Sequence, residues 1–226
     1  MRQMTSGLII TFLVLSIIGC GSSNNLPISF PKVLFQDKFE YPVATPWVPS
    51  NGWSEVFGTD TWNIVSGGVS GNALQYNATG SKILINDFSE SNYRISVLVK
   101  PVNIIAGGWP FGIIGRYQDN DNCYFTQVFD DTSNIWFSLR RIVAGVETPI
   151  QADVHFKTGH LDPDTWYTLT LTADGTTVTS TFSGGGDTAT LTGTETNLTS
   201  GKVGIKVQNN DPAYNAYFDN FTVKAP

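Results

Sequence analysis

Tyr93-Arg94-Ile95-Ser96-Val97-Leu98-Val99-Lys100 decides the fold class. Tyr93, Ile95, Val97 and Val99 fall on one side of a period-two alternation, and Arg94, Ser96 and Lys100 fall on the other. An extended chain sends successive side chains to opposite faces of a sheet, so this stretch puts one face in a core and the other toward water. Val203, Ile205 and Val207 repeat the pattern against Lys202, Lys206 and Gln208, and Tyr167, Leu169 and Leu171 repeat it against Thr168, Thr170 and Thr172. Threonine in such numbers suits a pleated sheet better than a helix, because its branched Cβ packs well on that surface.

Turn residues separate these runs. Asp119-Asn120-Asp121-Asn122, Ala173-Asp174-Gly175-Thr176 and Ser183-Gly184-Gly185-Gly186-Asp187 each divide two strand-like segments. Asp-Gly and Asn-rich tips supply the positive φ angles that tight hairpins need. About fourteen short strands at this spacing predict an all-β sandwich or barrel, formed as one domain over residues 32–226.

The N-terminus is a targeting segment. Met1 and Arg2 give a short positive start, and residues 8–18 are apolar except for Thr11 and Ser16. The run falls short of the roughly 20 residues a membrane-spanning helix needs and fits the apolar region of a secretory signal. Ile17-Ile18-Gly19-Cys20 resembles the lipobox of bacterial lipoproteins. The resemblance implies a signal peptide over 1–19, acylation of Cys20, a lipidated tether over 20–31, and a place in the cell envelope. Gly21 stands where aspartate would favour the inner membrane, so the outer membrane is expected where the host has one.

The chain carries 13 Lys and Arg against 19 Asp and Glu, a net charge of −6, with no basic cluster. Non-specific nucleic-acid binding runs on neutralising phosphates with Lys and Arg, so this balance disfavours it. With Cys20 acylated, Cys123 has no partner for a disulfide; it reads as a small buried thiol rather than as a nucleophile.

Phe35-Gln36-Asp37-Lys38-Phe39-Glu40, Gly115-Arg116-Tyr117-Gln118-Asp119 followed by Asn122-Cys123-Tyr124-Phe125, Trp166-Tyr167-Thr168-Leu169, and Phe218-Asp219-Asn220-Phe221-Thr222-Val223 occur in that order. Together they resemble the concanavalin A-like lectin/glucanase superfamily, in particular its laminin-G-like and carbohydrate-binding jelly rolls. The resemblance spans nearly the whole chain after the tether. It implies an antiparallel β-sandwich of jelly-roll form and a poly- or oligosaccharide partner.

In the resembled fold the first and last strands lie near each other, with a calcium site commonly beside them. Asp37 shares strand phase with Phe35 and Phe39, and Asp219 with Tyr217 and Phe221, so both carboxylates are expected on the apolar side. A buried carboxylate needs a cation or hydrogen-bond donors. Asp37, Glu40 and Asp219 are therefore candidate oxygen ligands for one structural Ca²⁺. The alternative is that both aspartates accept hydrogen bonds from turn amides.

A sugar-binding face needs aromatic planes and a few convergent polar groups. Arg116, Tyr124, Gln127, Trp136 and Arg140 lie on three consecutive strand-like segments and form the candidate carbohydrate-binding set. Trp109, in Gly107-Gly108-Trp109-Pro110, is a candidate loop platform.

A hydrolase of this fold needs two carboxylates about 5–9.5 Å apart, and no Glu-x-Asp-x-x-Glu strand occurs; the acids fall mainly in turns. His155 and His160 are the only histidines and hence the candidate general bases for a lyase. The sequence leaves two main classes, a non-catalytic glycan-binding domain and a lyase or hydrolase with an unrecognised catalytic set, and behind them a structural envelope or adhesion protein that uses the sandwich as a protein-binding surface.

Overall fold

The computed structural model describes residues 31–58, 62–76, 80–102, 111–131, 133–163, 165–209 and 216–226. Residues Pro31–Pro226 form one compact unit. The expected signal peptide, the acylation expected at Cys20 and the candidate platform Trp109 lie outside the described residues.

Among the described residues every regular element is a strand: β1 Val33–Asp37, β2 Trp53–Phe57, β3 Asn63–Ser66, β4 Asn72–Tyr76, β5 Gly80–Glu90, β6 Tyr93–Pro101, β7 Phe111–Asp119, β8 Asn122–Asp130, β9 Asn134–Val143, β10 Val146–Thr158, β11 Tyr167–Asp174, β12 Thr177–Gly184, β13 Asp187–Thr194, β14 Gly201–Asn209 and β15 Ala216–Lys224. They form two antiparallel sheets. Sheet I runs β13-β12-β11-β6-β15-β4-β3, with β1 also on β15; sheet II runs β10-β9-β8-β7-β14-β5-β2. β4 and β1 share one edge of β15, the former pairing with Ala216, Tyr217 and Phe218 and the latter with Phe221, Thr222, Val223 and Lys224. The expected β-sandwich is thus the observed fold, with the first and last strands side by side.

The alternation that predicted the strands also builds the interior. Tyr93, Ile95, Val97 and Val99 of sheet I face Val203, Ile205 and Val207 of sheet II in one continuous core. Each such side chain contributes about 1.5–3 kcal/mol on burial. A polar staple crosses this core, with Ser180 Oγ 2.8 Å from Thr126 Oγ1, which in turn donates to the Ser138 carbonyl at 2.9 Å.

Two of the register breaks bear on the candidate residues. Arg116 has φ +48° and Asn220 φ +51°, and the cross-strand registers shift at both places. A bulge inserts one residue and so exchanges the two faces beyond it. In β15, Phe218 is buried before the bulge and Phe221 and Val223 after it, whereas Tyr217 is turned outward against Lys100. The phase argument that grouped Tyr217 with Phe221 fails at Asn220 for this reason.

Candidate functional site

The three acids expected to bind calcium are all close to the paired chain ends, but they do not form one ligand set. Asp37 is buried and saturated by protein donors. Its Oδ1 accepts the Phe39 amide at 2.7 Å, and its Oδ2 accepts the Tyr41 hydroxyl at 2.5 Å, Trp53 Nε1 at 2.9 Å and Asn51 Nδ2 at 3.1 Å. Burial first, and then this hydrogen bond to Asp37, push the Tyr41 hydroxyl up to about 12. Three of these donors crowd Oδ2 and the fourth holds Oδ1, so the Asp37 charge is met by protein donors and needs no cation.

Glu40 and Asp219 present a different picture. Both are wrapped by the turn at residues 67–71. Asp219 accepts the amides of Val69 at 2.7 Å and Asn220 at 2.6 Å, while Glu40 accepts Ser70 Oγ at 2.9 Å and the Asn72 amide at 3.0 Å. A Cβ on Gly68 would lie 2.1 Å from the Asn72 carbonyl oxygen and 2.9 Å from Asp219 Oδ2, so glycine there lets the turn close over Asp219, whereas one on Gly71 would meet the end of the exposed Glu40 side chain at 2.3 Å. Burial raises the Asp219 carboxyl above its ordinary range, and Glu40 adds to the rise. Among the described residues no three acidic, histidine or cysteine side chains converge as a metal site.

The five candidate sugar-binding residues separate into two groups. Arg116 and Tyr124 are buried, 1% exposed each, and turned away from any ligand-facing surface. The bulge at Arg116 takes it out of phase with Ile114 and sends its guanidinium into the end of the sandwich. There it donates to the carbonyls of Leu198 at 2.7 Å, Gly175 at 2.7 Å and Ser91 at 2.9 Å. Its planar fork thus clasps three loops at once. Tyr124 completes the clasp, donating to the Leu198 carbonyl at 2.5 Å beneath the Arg116 guanidinium. On regular β8, Tyr124 shares phase with Val128 of the core and therefore cannot share a face with Gln127, an odd number of residues away.

Gln127, Trp136 and Arg140 are brought together. Ile135, Phe137 and Leu139 point into the core, which leaves Trp136, Ser138 and Arg140 on the outer face of sheet II. Register pairs Gln127 with Ser138, Phe129 with Trp136, and Phe125 with Arg140. The expected set gains three members that the sequence reading did not select: Ser138, Asp153 and Lys206. Lys206 lies opposite Gly112, which lies opposite Gln127. Because Gly112 puts no side chain between them, Lys206 Nζ reaches to 3.4 Å from Gln127 Oε1, resting 3.8 Å above the centroid of the Phe125 ring.

Polar atoms on this face are under-satisfied. Ser138 Oγ, Arg140 Nε and Asp153 Oδ1 are buried without a hydrogen-bond partner. Their neighbours are only partly engaged: Arg140 pairs with Asp153 at 2.5 Å and Glu147 at 3.0 Å. The indole Nε1 of Trp136 donates to Asp131 at 2.6 Å, and the ring meets His155 edge-on at 5.7 Å. That indole bond is the main cause holding the Asp131 carboxyl below its ordinary value. A patch of buried apolar residues, including Ile85, Ile114 and Phe125, underlies the face as a second small core.

The remaining candidates are elsewhere or inert. Cys123 is buried, which pushes its thiol up to about 12 and leaves it un-ionised at neutral pH. His160 is tied through Nδ1 to Asp130.

Comparison with solved structures adds the following. The carbohydrate binding module CBM66 from Bacillus subtilis superposes with a TM-score of 0.56 at 19% identity, over 77% of this chain and 96% of that one. These likenesses show the fold. The GH43 BlXynB protein from Bacillus licheniformis gives a TM-score of 0.62 at 15% identity over 84% of this chain, and the Bacteroides ovatus Xyloglucan PUL GH43B gives 0.60 at 16% over 88%. This chain spans 39% and 40% of those two larger proteins. No family model matches the chain, and no curated protein matches it.

Proposed function

We propose that this protein is a non-catalytic glycan-binding domain, held to the cell envelope by a lipid on Cys20, and that it takes its ligand on the outer face of sheet II. The observation that carries the reading is the under-satisfied polar row there: Ser138 Oγ, Arg140 Nε and Asp153 Oδ1 lack partners beside Trp136 and Phe129. Buried polar groups in folded proteins are as a rule hydrogen-bonded, so three unpartnered atoms just beneath one face, under the partly exposed Arg140 and Asp153, mark where polar groups of a ligand would be taken up once those side chains shift. Saccharide hydroxyls supply the missing donors and acceptors, and aromatic faces receive their C–H groups. Carbohydrate binding is also what the name of the superposable module from Bacillus subtilis states.

A binding role is favoured over a cutting one by how the acids on this face are occupied. Glu147 and Asp153 are both paired to Arg140, and Asp131 is held ionised by Trp136. A glycosidase needs a carboxyl held protonated, with its pKa raised rather than lowered. The test is to incubate the protein with a panel of polysaccharides and score both retention and new chain ends. Retention without new ends is expected; new reducing or unsaturated ends would overturn the reading.

Calcium enters only as a secondary proposal, centred on Glu40 and Asp219 rather than on Asp37. A cation between them would relieve the burial that raises Asp219. A ligand of the folded state raises apparent stability, so a melting midpoint unchanged by chelator would remove it.

A further inference from the structure

The row that carries the glycan reading has a charge pattern of its own. Across five strands the outward positions run Lys206, Gly112, Gln127 and Ser138, ending at β10, where Asp153 meets Arg140. Four strand spacings make this row about 19 Å long, the span of a short oligosaccharide. Its two ends differ. At the β9–β10 end the Arg140 cation is compensated twice, by Glu147 and Asp153. At the β14 end Lys206 forms no ion pair among the described residues. Among the described residues its hydrogen-bond partner is the amide oxygen of Gln127 at 3.4 Å, the Phe125 ring lies beneath it, and Glu147, Cys123 and Arg140 are near enough to act on its charge.

An ammonium has three donors, so one long hydrogen bond and a ring face leave most of its capacity unused. Burial is the main cause pushing the Lys206 ammonium below its ordinary value, with Arg140 adding to the fall and Glu147 opposing it. A partly desolvated cation of this kind is costly unless something anionic meets it. The side chain that could swing beside it, Gln127, carries an amide N–H₂ able to donate to the same anion.

We propose that the glycan of this site is acidic, a uronic-acid-containing chain whose carboxylate is taken by Lys206 and Gln127 while its hydroxyls meet the partly exposed Arg140 and Asp153. This inference rests on the glycan-binding reading above and narrows it to one ligand class. Lys206 supplies charge recognition; the Arg140 end, already compensated, recognises hydroxyls and gives the row its polarity.

The experiment uses polygalacturonate and alginate beside carboxyl-reduced samples of the same polymers, in affinity electrophoresis of the protein and of Lys206→Met. Methionine keeps the apolar stem over Phe125 and removes the charge, and an unchanged melting curve checks that the variant is folded. The protein is expected to be retarded by at least one acidic polymer and about tenfold less by its reduced form. Lys206→Met should lose roughly tenfold to a hundredfold in affinity for the acidic polymer, the range of a charge-assisted hydrogen bond. Added salt should weaken the acidic interaction. Equal retention on acidic and reduced polymers, or on neutral glycans alone, or full retention by Lys206→Met, would overturn the acidic ligand and leave glycan binding standing. No retention on acidic, reduced or neutral polymers would sink both.

Discussion

Two arginines on neighbouring parts of sheet II show how one side-chain type serves two ends. Arg116 is 1% exposed and donates to three loop carbonyls, with its backbone amide taken by the Tyr93 hydroxyl at 2.6 Å. Arg140 sits on the outer face, shares its charge with two carboxylates and leaves Nε without a partner beside the orphaned Ser138 Oγ and Asp153 Oδ1. A fully satisfied buried network fixes geometry, whereas a partly satisfied one waits for a partner. The contrast separates what holds the fold from what the fold presents.

The largest effect is expected at the clasp. Arg116→Met leaves the carbonyls of Leu198, Gly175 and Ser91 without their donor and should cost more than about 3 kcal/mol in chemical denaturation, the range for breaking a buried charged network. A loss under about 1 kcal/mol would make Arg116 as dispensable as a surface residue and erase the comparison.

Glu195 sharpens it at the same end. Its side chain is buried; burial alone pushes its carboxyl up, but the Asn197 amide and Arg141 outweigh this and hold it lowered. A carboxyl depressed in the fold stabilises at pH above its ordinary value of about 4.5, and that stabilisation fades as pH falls through the lower folded value. Glu195→Gln should therefore cost about 1–2 kcal/mol at pH 7 and progressively less in acid, read from denaturation at several pH values. A cost that persisted unchanged in acid would contradict the ionised pair.

At the outer face the order of effects reverses. Trp136→Ala should lower glycan affinity about tenfold, equivalent to about 1.4 kcal/mol, with a smaller change in melting than at Arg116. The smallest effect belongs to the outer face of sheet I. There Thr179 and Thr192 hydroxyls lie 3.1 Å apart, and Thr181 and Thr190 3.3 Å apart, so the polar groups satisfy one another. Thr181→Val should change stability by no more than about 0.5 kcal/mol and leave glycan retention intact. Loss of retention in this variant would move the site to the wrong sheet.

Alternation made the fold legible, because burial on a regular strand depends only on residue parity; Tyr93, Ile95, Val97 and Val99 needed no more than that. Parity was also available to separate Tyr124 from Gln127. Arg116 and Tyr217 were misplaced because a bulge is a mismatch between two strands, and neither strand alone reveals it. Lys206 was missed for a related reason. Its phase marked it as outward, but that β14 lies beside β7, two strands from Gln127, is a long-range fact of sheet order. Ser138 was within reach, standing in phase between Trp136 and Arg140; its lack of a partner appears only when the face is assembled.

The most direct test of the binding face is to titrate the isotopically labelled protein with an oligosaccharide of a retained polymer and follow its amide and indole resonances. Shifts confined to Gln127, Trp136, Ser138, Arg140, Asp153 and Lys206 are the predicted result. Shifts centred on the threonine face of sheet I, or on the Arg116 clasp with the outer face of sheet II silent, would contradict it.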